Sequence, residues 1–230
     1  MSGPVPSRVG TTVPVLVADD AIEMDRAALH SLTVRPRGLH FASIAKGSRV
    51  SESIDNPVTS EHIRFLKRSA DTDGELLAFE LTIGPHGFVA APHIHPAQEE
   101  RFRVESGTVR FRVGSRESSA TTGESLVVPP GTPHAWWNAS DEPARVLVEF
   151  RPALDTESFF RQFFGLARDG KVNSRGLPRP LQLAVSALAF QREVRLARPP
   201  LLIQRVLFTP LALLGRLRGL RHHYERYERS

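Results

Sequence analysis

The sequence predicts a mainly β chain, one antiparallel barrel or sandwich, followed by an appended α-helical segment. Three observations carry this. From Glu75 onward apolar residues recur at every second position in short runs broken by glycines. After Pro152 the apolar period lengthens to that of a helix. No internal repeat is visible, so one barrel is expected rather than two.

Size and composition agree with a single core carrying extensions. The chain has 230 residues, 40% hydrophobic and 24% charged, ordinary values for a soluble globular protein. It has no cysteine, which excludes a disulfide framework, thiolate ligands and a cysteine nucleophile. Any metal must be held by nitrogen and oxygen. Met1 to Val17 lacks the continuous apolar run of a secretory signal, and the expected location is cytoplasmic.

Taken in order, residues 1–47 carry Pro4, Pro6, Pro14 and Pro36 with no sustained period and read as a flexible leader, with a short helix around Asp20 to Leu32. Residues 48–152 hold the barrel. Leu77, Phe79, Leu81 and Ile83 share one strand face, and alternating runs follow at Glu99 to Glu105, Thr108 to Val113, Ser125 to Val128 and Arg145 to Arg151. Gly107, Gly114, Gly123 and Gly131 fall at or beside the breaks. Residues 153–230 form the helical extension: a helix with Phe160, Phe163, Phe164 and Ala167 on one face, a second over Leu181 to Leu196, and a third from Leu201 to Leu220, bent or broken at Pro210.

The extension is where the positive charge lies. Residues 171–230 hold 12 Lys/Arg against 3 Asp/Glu, although the whole chain is only +5. Its run from Leu201 to Leu214 is interrupted by Gln204, Arg205 and Pro210, too short to span a bilayer. Packing on the barrel or a sister subunit is favoured over peripheral membrane contact. Arg101, Arg103, Arg110 and Arg112 alternate outward on two neighbouring strands and would form a basic patch. They interleave with core-facing residues rather than exposed aromatics, so no nucleic-acid partner is expected. A homodimer is.

The chemistry sits in two spaced patterns. Gly87, five residues, His93, Ile94, His95, four residues, Glu100, six residues and Gly107 form the first; Gly123, five residues, Pro129, Pro130, Gly131, two residues, His134, three residues and Asn138 form the second. On a strand, His93 and His95 point to one side. Glu100 shares parity with Phe102 and Val104, while Glu99 goes with Arg101 and Arg103, so Glu100 is the candidate carboxylate. Three imidazoles and one carboxylate suit a divalent transition metal such as Fe(II), Mn, Ni or Zn. Phe79, Phe102, Phe111 and Trp136 would border it as an apolar pocket, with Gln98 or Glu99 near the substrate. His30, His40, His62 and His86 stand outside the pattern and read as structural or solvated.

Over residues 87–138 the two patterns resemble the cupin superfamily, and the HIHPAQEERF and PPGTPHAWWN stretches are similar to small single-barrel bacterial cupins of the type-2 conserved barrel. The resemblance implies a double-stranded β-helix (jelly-roll) barrel, a metal held by His93, His95, Glu100 and His134, and a small-molecule ligand or substrate. It implies several activities: a dioxygenase-like oxidoreductase acting on an aromatic or enolic molecule, a polyketide cyclase or isomerase using the same metal, or a non-catalytic binding or sensor barrel. Fold does not choose among them.

Overall fold

In a computed structural model, described for residues 35–36, 41 and 52–228, the chain forms two antiparallel sheets that face each other, followed by helices. The expected leader and its helix at Asp20 to Leu32 lie almost wholly outside the described residues. The strands are β1 (Arg35–Pro36), β2 (Ser53–Asn56), β3 (Glu61–Lys67), β4 (Leu77–Ile83), β5 (His93–Ile94), β6 (Glu99–Ser106), β7 (Thr108–Val113), β8 (Arg116–Thr121), β9 (Glu124–Val128), β10 (His134–Trp137), β11 (Ala144–Arg151) and β12 (Arg195–Leu196). The helices are α1 (Thr156–Arg168), α2 (Pro180–Ala189), α3 (Leu201–Leu217) and α4 (Glu225–Glu228). One sheet runs β1-β9-β6-β11-β4-β3-β2 and the other β12-β5-β10-β7-β8.

Period-two patterning decides which side chains are inside. Phe79, Leu81, Phe102, Val104, Phe111, Trp136, Val148 and Phe150 fill the space between the sheets, each removed from water at a gain of roughly 1.5–3 kcal/mol for a large apolar side chain. The β6–β7 turn needs Gly107, whose φ is +83° and where a Cβ would lie 3.0 Å from the Ala144 backbone.

The arginine patch does not form as expected. β6 and β7 belong to different sheets, and each arginine is met by a carboxylate: Arg101 by Glu99, Arg103 by Glu105, and Arg110 and Arg112 by Glu117. Trp137 faces two of these arginines, its ring within 5.7 Å of Arg110 and 5.9 Å of Arg112.

Helix α1 lays Phe160 and Phe164 on the barrel, with Phe160 edge-on to Phe79 at 5.2 Å. Its fully buried Arg161 reaches Glu52 with both terminal nitrogens, at 2.9 and 2.7 Å, and lies over the Phe65 ring. This clamps the helix to the strand layer. Helix α2 stops at Ala189 rather than running to Leu196, because the chain turns back to pair β12 with β5; the Ala197 N–H donates to the Pro92 carbonyl at 3.0 Å. Helix α3 continues unbroken through Pro210. It packs on α2 through Ala212 and Gly215, where a Cβ would lie 2.9 Å from Val185. Its other side is bare: Leu202 is 74% and Leu217 77% exposed. No helix among the described residues is long and apolar enough to cross a membrane.

Candidate metal centre

Two strands of one sheet and one of the other bring four side chains together. His93 opens β5 and lies directly across from His134, the first residue of β10. His95 follows two positions on, and Glu100 enters from β6 in the opposite sheet. One nitrogen or oxygen from each of the four lies within 4.8 Å of the others, and all four residues are buried. The His93 and His134 ring centroids are 4.3 Å apart.

Each imidazole is oriented by the backbone. Nδ1 of His93 meets the Ala91 carbonyl at 3.0 Å, Nδ1 of His134 the Thr132 carbonyl at 3.0 Å, and Nδ1 of His95 the Glu193 carbonyl at 2.5 Å. A carbonyl can only accept, so Nδ1 carries a proton in every ring and Nε2 is the nitrogen left to face Glu100 or, once free of its own proton, to ligate a cation. That is the arrangement by which outer hydrogen bonds prepare histidine ligands.

The centre contains an orphan. His134 Nε2 is 2.7 Å from Glu100 Oε2, but His95 Nε2, 3.4 Å from the same oxygen, has no hydrogen-bond partner although it is fully enclosed. A buried polar atom without a partner is costly. A cation among these donors would satisfy it, so the residues present fit a divalent metal. The protonation states agree. Burial, reinforced by the neighbouring His134 and His95, pushes His93 well below its ordinary range and keeps it neutral. For Glu100 burial acts upward, but the neighbouring His95 and His134 imidazoles, with a hydrogen bond from His134, outweigh it and hold the carboxyl below the usual carboxylate range.

A cavity opens from the centre. Phe79, Phe102 and Trp136 line it, as do Phe150, Phe160 and Phe163. Phe111 does not; it sits behind, against Phe102 at 5.0 Å. Gln98 and Glu99 are not at the cavity either. The Gln98 amide is held at the β11–α1 joint, near the Pro152 and Ala153 carbonyls and the Thr156 hydroxyl, and Glu99 turns outward to accept from Arg101 Nε at 2.6 Å. Part of the wall comes from beyond the barrel: α1, Leu183 of α2 and Val194 to Leu196. A separate groove between residues 172–180 and α3 carries no His, Asp or Glu.

One acidic lining residue falls outside both sequence patterns. Glu61 is inward on β3, in phase with Ile63 and Phe65. Burial raises its carboxyl to about 8, partly offset by a hydrogen bond from Thr59. The motif residue Asn138 serves the backbone and not the centre. Its amide donates to the Glu142 carbonyl at 2.8 Å and the Gly84 carbonyl at 3.1 Å, closing the loop after β10.

Among known proteins, a family model described as a cupin domain matches residues 79–150. A curated relative, "Probable oxidoreductase virH" of Hypocrea virens, is 29% identical over 152 residues, covering 60% of this chain and 67% of that protein. Of solved structures, oxalate decarboxylase from Bacillus subtilis is 23% identical with a TM-score of 0.39, over 44% of this chain and only 28% of that one. KdgF from Halomonas sp. is 17% identical, TM-score 0.40, over 46% and 92%. The polyketide cyclase RemF from Streptomyces resistomycificus is 21% identical, TM-score 0.40, over 46% and 79%. At these scores the structural likeness bears on neither substrate nor reaction.

Proposed function

Because residues 79–150 of this chain are a cupin domain, we propose that His93, His95, Glu100 and His134 hold a divalent first-row metal, and that the protein is an oxygenase acting on an aromatic or enolic small molecule. The observation that carries the reading is the orphaned Nε2 of His95 inside a set of rings whose Nδ1 atoms are already committed to carbonyls. Fe(II), Mn, Ni and Zn all accept such donors. When bound, the metal supplies Lewis acidity and open coordination positions.

The chain's own residues do the rest. Glu100 brings a negative charge to the donor set, and the three carbonyl-bound Nδ1 atoms keep the imidazoles from turning. Phe79, Phe102, Phe150 and Trp136 exclude water and offer faces and edges to a flat apolar substrate. The similarity to a protein named as a probable oxidoreductase supports a redox reaction. Assembly as a homodimer belongs to the same proposal, supported by the bare apolar side of α3 and read by sedimentation.

The test combines metal analysis with oxygen uptake. Purified protein is expected to hold one transition metal per chain and to consume oxygen with a flavonol, a catechol or a β-diketone. Metal without uptake on any of these would replace the oxygenase reading by the cyclase, isomerase or sensor alternatives. A wild-type protein that binds no transition metal would sink the proposal.

A further inference from the structure

The cavity has a second polar pole, away from the donor cluster. Glu61 lies opposite Ile83 on β4, whereas Glu100 is level with Phe150, whose β4 neighbour is Leu77. The two levels are six residues apart along β4, about 20 Å of extended strand, of which the inward side chains take up part. Between them the wall is apolar: Ile63, Phe79, Leu81 and Phe102.

At this pole two side chains are only half engaged. Glu61 is 7% exposed and receives one hydrogen bond, from the Thr59 hydroxyl to Oε2; Oε1 has no partner among the described residues. Asn56, 6% exposed, accepts from the Val58 and Thr59 amides at Oδ1, and its Nδ2 has no partner among the described residues. Both residues border the cavity. Hydrogen-bonding capacity left over on side chains that line a cavity is what an oxygen atom of a ligand can use. Burial keeps Glu61 protonated near neutral pH, and a protonated carboxyl donates a hydrogen bond where a carboxylate can only accept.

We propose that Glu61, with Asn56 beside it, is a substrate-recognition site that donates hydrogen bonds to a carbonyl or phenolic oxygen at the metal-remote end of an elongated aromatic substrate. This rests on the reading of the cavity as the substrate site, and it narrows the substrate class to flat molecules with oxygen at both ends. A substrate oxygenated at one end only leaves two buried donors unmet, a strong basis for discrimination.

The experiment compares two probes of equal shape: a flavonol with hydroxyls on its far ring and the parent flavonol without them. Equilibrium titrations use the full-length, metal-loaded chain and follow quenching of tryptophan emission, since Trp136 lines the cavity. Wild type should favour the hydroxylated probe by about tenfold, the worth of one well-placed buried hydrogen bond. Glu61→Leu should bring the ratio near one, weakening the hydroxylated probe and tightening the parent flavonol, which then leaves one donor fewer unmet, and Glu61→Gln, which still donates, should keep most of the ratio. Far-ultraviolet circular dichroism and metal content check that each variant is folded and loaded. An unchanged ratio in Glu61→Leu, no preference in wild type, or no binding of either probe would overturn the proposal. Failure of the oxygenase reading is separate, showing as absent oxygen uptake with the binding ratio intact.

Discussion

Replacing His134 by alanine puts a number on the metal centre. In the metal-free protein His134 Nε2 is 2.7 Å from Glu100 Oε2, and both side chains are almost wholly buried. Removing the imidazole leaves a carboxylate whose remaining neighbour, His95, is 3.4 Å away without hydrogen-bond geometry. A buried charge stripped of its partner costs about 2–4 kcal/mol. At about 2–4 °C per kcal/mol for a chain of this size, the apo Tm should fall by roughly 5–15 °C. Metal at a hundredfold excess over Kd should raise the wild-type protein by about 2.7 kcal/mol, some 5–11 °C, and His134→Ala by almost nothing. Differential scanning calorimetry with and without chelator reads both numbers. The double variant His134→Ala/Glu100→Leu should recover apo stability, since no stranded charge remains, while staying insensitive to metal. An equal metal shift in wild type and His134→Ala would refute the reasoning, as would a double variant no more stable than the single one.

Three further outcomes follow from the same structure. Glu61 has a folded pKa of about 8 against an ordinary 4.5, so the folded protein keeps a proton that the unfolded chain releases. Its contribution is fully present below about pH 4.5 and is lost as pH rises through about 8. The stability of Glu61→Gln relative to wild type should therefore climb by a few kcal/mol over that window; His93 and Glu100, in the same cavity, are common to both proteins and cancel. Parallel urea-unfolding curves at both ends of the window would contradict this. Phe160→Ala, which removes a ring edge-on to Phe79 and close to Phe150, should cost about 2–3 kcal/mol in urea unfolding, discounted for partial exposure. Ala197→Pro deletes the donor to the Pro92 carbonyl and loosens β12; metal affinity by competition titration should fall about tenfold with the circular dichroism spectrum intact, and undiminished affinity would detach the tail from the site.

The features legible in the sequence are those written in side-chain type and spacing. Strand parity separates Glu100 from Glu99, and the structure has the first inward and the second against Arg101. The same parity extends upstream of Glu75 to Glu61, two residues before Ile63 and four before Phe65, where no histidine pattern draws the eye to it. Other features leave no such mark. A two-residue strand has no period, so β12 merges into a longer apparent helix. A backbone carbonyl has no residue code, so nothing in the sequence identifies Glu193 as the group that orients His95. Outward arginines resemble one patch only while strands adjacent in sequence are equated with strands adjacent in a sheet, whereas β6 and β7 part at Gly107 into opposite sheets.

The carbonyl that fixes His95 comes from 98 residues further along the chain, and β12 flanks the strand that carries His93. During synthesis the barrel strands emerge well before that carbonyl does. Until the segment around Glu193 docks, His95 can exchange tautomers and turn, and its Nδ1 competes with Nε2 for any passing cation. Completion of the proposed donor set is thus expected to wait for the C-terminal quarter rather than for closure of the barrel. Metal loading of released chains that end before Glu193 or beyond Ala197 would register this dependence directly.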